Sequence, residues 1–122
     1  IVPSCTYCSP EVASVGLTEQ MARDRGIEII TAKFPYAAVS KATILGENEG
    51  FVKLVCDRQY KQVLGVHMVG PHVTELIAEG VSLIGLEATA GDVSHLIHAH
   101  PTISEGIMEA AHAIYGGAAI HF

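Results

Sequence analysis

The chain has 122 residues, a formal net charge of −6, and 16% charged against 49% hydrophobic residues. That length suits one domain with a real core, and a charged fraction below the roughly 25% usual for soluble domains points to apolar surface meant for a partner. The seven Lys and Arg are scattered with no basic stripe, which excludes nucleic-acid binding, and no apolar run approaches the ~20 residues of a membrane helix.

Residues 2–8 read as a strand with Pro3 at its start, broken by Ser9-Pro10. Glu11 to Gly16 forms a second short extended piece. Thr18 caps a helix over residues 19–25, and Gly26 ends it. The β-branched run within residues 27–34 predicts a strand that Pro35 stops. Residues 36–50 read as irregular, with a turn-rich stretch at residues 46–50. Residues 51–56 and 63–69 flank the polar residues 57–62, which predicts an antiparallel hairpin. Gly65 marks a bulge or a close backbone approach. Leu76, Ile77, Val81 and Ile84 recur at helical spacing, so a helix runs over residues 73–86, where Gly80 and Gly85 weaken it or permit close packing. Thr89 caps a short helix over residues 89–97, and Pro101 breaks the chain. A last helix covers residues 104–115 until Gly116-Gly117. Strands and helices segregate, so the expected class is α+β, one domain over residues 1–122. It has an antiparallel sheet of about four to five strands with helices packed on one face.

The chain begins at Ile1 without a charged n-region and apolar h-region, so it reads as a piece of something longer with no signal peptide. Its three cysteines, Cys5, Cys8 and Cys56, are an odd number, which argues against a secreted disulfide framework and for a reducing, cytoplasmic compartment. Cys5-Thr6-Tyr7-Cys8 is a CxxC, but a redox pair opens a helix and this one sits in a predicted strand. A structural zinc needs four ligands, and no second CxxC occurs. His98 and His100 form an HxH that could chelate a metal, yet no acidic or cysteine partner lies at a convincing spacing. The expected metal site is none. His67, His72, His95, His112 and His121 read as ordinary surface or core residues.

His100-Pro101-Thr102-Ile103-Ser104-Glu105 supports two readings. In one, Thr102 and Glu105 form a capping box that starts the last helix. In the other, the helix returns Glu105 toward the His100 imidazole, fixing its tautomer and raising its basicity. That arrangement is a base with its orienter, lacking a nucleophile.

His98-Ala99-His100-Pro101-Thr102-Ile103-Ser104-Glu105 resembles the signature of dihydrolipoamide dehydrogenases, members of the flavin-dependent pyridine nucleotide–disulfide oxidoreductases. Cys5-Thr6-Tyr7, Pro10 to Glu19, Lys33-Phe34-Pro35, Gly50 to Leu54 and Leu64 to His67 resemble the C-terminal dimerisation domain of the same family, in the right order along nearly the whole chain. The resemblance implies a homodimer. In it, His100 and Glu105 act as an acid/base dyad on the partner subunit's redox disulfide, with His100 and Pro101 near the partner's FAD and the His100–Pro101 peptide cis. It implies FAD and NAD in the full-length parent, and lipoyl domains of 2-oxoacid dehydrogenase or glycine cleavage complexes as its partners. The chain lacks the GxGxxG and CxxxxC motifs of that family, so by itself it is expected to hold no cofactor and to be inactive. A glutathione or mercuric reductase-like protein or a soluble transhydrogenase is the alternative parent, and a small metal-binding module a remote one. Gly106 and Met108 depart from the family pattern and are expected to loosen the last helix slightly.

Overall fold

A computed structural model describes residues 1–121. Five strands, β1 (Ser4–Thr6), β2 (Glu11–Gly16), β3 (Ile29–Pro35), β4 (Phe51–Asp57) and β5 (Val63–Gly70), form one sheet in the order β1-β2-β5-β4-β3. Every pairing is antiparallel. Among the described residues five α-helices accompany it: α1 (Glu19–Asp24), α2 (Ser40–Leu45), α3 (Val73–Gly85), α4 (Ala90–His95) and α5 (Glu105–Gly116). The class is α+β, as the segregation of strand and helix signals predicts.

Period-two alternation decides which face is covered. Ala13 and Val15 of β2 pair with Met68 and Val66 of β5, which pair in turn with Val52 and Leu54 of β4. Val52 lies opposite Phe34 of β3. All seven side chains are buried. Onto this face α3 brings Val73, Ile77 and Leu83, and α5 brings Ile107, Ala110, Ala111 and Ile114. Each large aliphatic side chain so buried contributes about 1.5–3 kcal/mol. The opposite face is only partly covered: Lys53, out of phase with Val52 and Leu54, ion-pairs with Glu19 of the short α1.

Glycines set how closely the layers meet. A Cβ at Gly80 would lie 3.1 Å from Val66 Cβ and 3.2 Å from Val15 Cγ1, so α3 rests on the sheet through that position. Gly65 answers both sequence expectations. The β4–β5 register slips between Val55 and Cys56, leaving Leu64 as the extra residue of a bulge, and a Cβ at Gly65 would collide with the Leu17 carbonyl.

Several boundaries move. β1 is shorter than the strand expected at residues 2–8, and Pro35 closes β3 by pairing with Phe51 instead of standing outside it. Residues 36–50 are more regular than read: a 3-10 turn at Tyr36–Ala38 leads into α2, which ends on Gly46 in the left-handed conformation at φ +70°. The sequence hides this because Val39 at the cap position offers no side-chain hydrogen bond and the apolar residues are too few to show a period. The expectation about Gly106 fails. It is buried, and a Cβ there would lie 3.0 Å from Val52 Cγ2 and 3.2 Å from Tyr36 Cε1. Its missing side chain seats α5 on the sheet and does not loosen it.

Candidate functional site

The segment of residues 96–101 emerges between α4 and α5. Thr89 caps α4 in a capping box, accepting from Asp92 N while the Asp92 carboxylate accepts from Thr89 N at 2.8 Å. Leu96 at its end is extended, which turns the chain outward. The His100–Pro101 peptide is cis, as the resemblance implies. Ile103 then anchors the chain in the core, 5% exposed, and α5 begins at Glu105.

His100 and Glu105 meet. His100 Nδ1 lies 2.9 Å from Glu105 Oε1 and 3.1 Å from Oε2. The Thr102 N–H donates to Oε2 at 3.0 Å, so two donors hold the carboxylate. Only 12% of the Glu105 side chain is exposed, against 67% of the His100 side chain. A carboxylate accepts only, so Nδ1 carries the proton facing it. In the neutral ring Nε2 is then the free lone pair, and it makes no hydrogen bond among the described residues. The arrangement presents an oriented base outward to solvent.

The capping box expected from Thr102 is only half present. Glu105 reaches back to Thr102 N, but the Thr102 hydroxyl donates to the Ala99 carbonyl at 2.6 Å and lies 2.8 Å from Ser104 Oγ, without bonding the Glu105 N–H. A tight turn, with Gly106 N bonded to Ile103 O and Ile107 N to Ser104 O, starts the helix instead.

The other sequence candidates separate. His98 and His100 do not share a ligand position: His98 Nε2 lies 2.6 Å from Glu79 Oε1 of α3. Cys8 is exposed with its thiol 3.1 Å from the Pro10 carbonyl, Cys5 is half-buried, and Cys56 is buried in the sheet. Among the described residues no group of three or more His, Cys, Asp or Glu is arranged to hold a metal ion. His121 looks ordinary in the sequence, yet its Nδ1 bonds Glu109, whose side chain is almost wholly buried one turn beyond Glu105. Glu105, Glu109, His100 and His121 line one small cleft beside Phe34. The i, i+4 spacing of Glu105 and Glu109 could have suggested a shared helix face. Nothing in the sequence pairs Glu79 with His98. No helix among the described residues is long and apolar enough to cross a membrane.

Residues 2–111 match the family described as "Pyridine nucleotide-disulphide oxidoreductase, dimerisation domain". The chain is 52% identical over its whole length to a dihydrolipoyl dehydrogenase of Bacillus subtilis, covering 26% of that protein. It is 49% identical over 94% of its length to one of Rhizobium etli, covering 24%. The chain thus spans about a quarter of the length of the curated relatives it matches. Among solved structures, LpdA of Mycobacterium tuberculosis superposes with a TM-score of 0.87 at 26% identity, over 93% of this chain and 25% of that one. The flavoprotein disulfide reductase RclA of Escherichia coli shares the fold at a TM-score of 0.86 and 24% identity, over 90% of this chain and 25% of that one.

Proposed function

The chain belongs to the dimerisation-domain family of the pyridine nucleotide-disulphide oxidoreductases, and from that membership we propose that it is the C-terminal interface domain of a dihydrolipoamide dehydrogenase whose His100–Glu105 dyad serves the partner subunit. One observation carries the reading: His100 is bound to Glu105 through Nδ1 while its ring stands 67% exposed. A base that faces outward, beside a cleft with no cysteine in its lining, has its work on another surface. The relatives named dihydrolipoyl dehydrogenase support dihydrolipoamide as the dithiol substrate.

His100 Nε2 takes the proton of a dihydrolipoamide thiol and leaves a thiolate that attacks the partner's redox disulfide, forming a mixed disulfide as the attacked S–S bond breaks and its other sulfur leaves as a thiolate. The resulting imidazolium is held by the Glu105 carboxylate, which the Thr102 N–H keeps in place. General-base catalysis of this kind contributes roughly 10²–10⁴-fold. The FAD and NAD of the parent are held by parts of the longer protein. Ala99, His100 and Pro101 are exposed, and this edge suits contact with a flavin bound by the partner. When bound, the flavin supplies the acceptor for the electron pair. The chain alone, as the single domain 1–122, contributes the dyad and the dimer surface and does not turn over by itself. The parent is a cytoplasmic homodimer that meets lipoyl domains of 2-oxoacid dehydrogenase or glycine cleavage complexes.

The test is His100→Gln in the full-length enzyme. Dihydrolipoamide turnover should fall by about two orders of magnitude or more with FAD content unchanged, and wild-type turnover would overturn the proposal.

A further inference from the structure

Of the six residues from Leu96 to Pro101, five are exposed and only His98 is tucked in, its side chain 9% exposed. Its ring has two oxygen partners. Nε2 lies 2.6 Å from Glu79 Oε1 of α3, and Nδ1 lies 3.2 Å from the Leu96 carbonyl. Neither oxygen has a hydrogen to give, so both bonds form only when both ring nitrogens carry one. The rest of the segment is held by few bonds: the His100 ring bonds Glu105, the Thr102 hydroxyl bonds the Ala99 carbonyl, and Leu96 N bonds Val93 O.

We propose that His98 is a positioning residue for the dyad, a doubly protonated imidazole clamped by Glu79 and the Leu96 carbonyl that fixes the loop carrying His100. The inference rests on the reading of His100 as the base. It gives α3 a part in a site otherwise built from the loop and α5.

The charged groups bearing on His98 are carboxylates: Glu79 of α3 and, less strongly, Glu105 of α5. The Glu79 hydrogen bond, above all, holds the His98 imidazole above the ordinary histidine range, against the opposing effect of burial. The sign follows from linkage. A raised value in the folded protein means the clamp is fully made below the ordinary histidine range and is lost as pH rises through the raised value. Above it one of the two bonds fails and the loop is held less firmly. Misplacing a reacting group by about 1 Å can cost 10²-fold in rate, so activity should fall as pH rises through the raised His98 value, giving the pH profile an alkaline limb that belongs to His98.

The experiment uses the full-length enzyme with dihydrolipoamide and NAD, after FAD content and Tm are measured for each variant. Glu79→Gln keeps the shape but removes the charge. It should lower kcat by on the order of tenfold and move the alkaline limb of the kcat/KM profile to lower pH, while Glu79→Asp restores most of both. His98→Gln should have a low activity from which that limb is missing. A Glu79→Gln profile superimposable on wild type, with only Tm reduced, overturns the inference. Glu79→Asp and His98→Gln decide the matter if Glu79→Gln does not fold. Wild-type turnover in His100→Gln overturns the dyad reading and this inference with it. Loss there beside an unmoved Glu79→Gln profile overturns this inference alone.

Discussion

Glu105 is where a helix start and a proposed active site coincide, because one carboxylate accepts from both His100 Nδ1 and Thr102 N. Glu105→Gln separates its two tasks: an amide oxygen still accepts from Thr102, but the charge opposite the imidazolium is gone. In the full-length enzyme kcat should fall about 10- to 100-fold, less than for His100→Gln, with Tm nearly unchanged. Steady-state kinetics beside a thermal melt checks this, and equal losses in the two variants would contradict it. The cysteines make a second case. Burial pushes the Cys56 thiol up to about 12, with the Asp57 charge adding to it. Thiolate is the reactive form, so at mildly alkaline pH a thiol reagent should label exposed Cys8 first and half-buried Cys5 more slowly. Cys56 should react only after denaturation. Three equal labelling rates would show that the sheet does not protect it.

At the level of elements, α3 tests how much the sheet demands of the helix above it. Gly80 rests on Val66 and Val15, whereas a Cβ at Gly85 would meet nothing nearer than Ile1 Cδ1 at 3.7 Å. Gly80→Ala should therefore destabilise by about 1–3 kcal/mol through overpacking. Gly85→Ala should be neutral or stabilising by up to about 1 kcal/mol. Denaturant melts of the two variants distinguish them, and the same sign for both would refute the packing argument. The elements were legible where one local signal dominates. Thr18 before α1, Thr89 before α4, and the β-branched, apolar runs of the β4–β5 hairpin all stand where the pattern puts them. α2 was not legible, because its cap lacks a polar side chain. The His100–Glu105 contact was readable because both residues lie within one turn of a helix start. The Glu79–His98 and Glu109–His121 contacts join residues 19 and 12 apart, and only the folding of α3 and of the chain's end against the loop and α5 brings them together. Gly106 was misread because its neighbours, Val52 and Tyr36, come from distant parts of the chain.

As a whole the molecule leaves much apolar surface uncovered. Ile97 is 98% exposed, Leu86 82% and Leu96 53%, the first and last of these beside the His98–Pro101 loop. A domain of this family, with such residues next to its proposed dyad, should associate with itself. Sedimentation of the isolated chain should show a dimer, and a clean monomer at high concentration would mean that the interface needs the rest of the parent. The sheet limits how that association can occur. Its two edges are β1 and β3. β1 is three residues long between Pro3 and Pro10, while β3 carries exposed Lys33 and ends on Pro35. A three-residue edge on one side, and an outward lysine with a terminal proline on the other, are poor templates for an incoming backbone. A population of this domain held at high concentration should therefore resist the slow conversion into fibrils that open sheets invite, and its copies should meet through side chains and not by adding strand to strand.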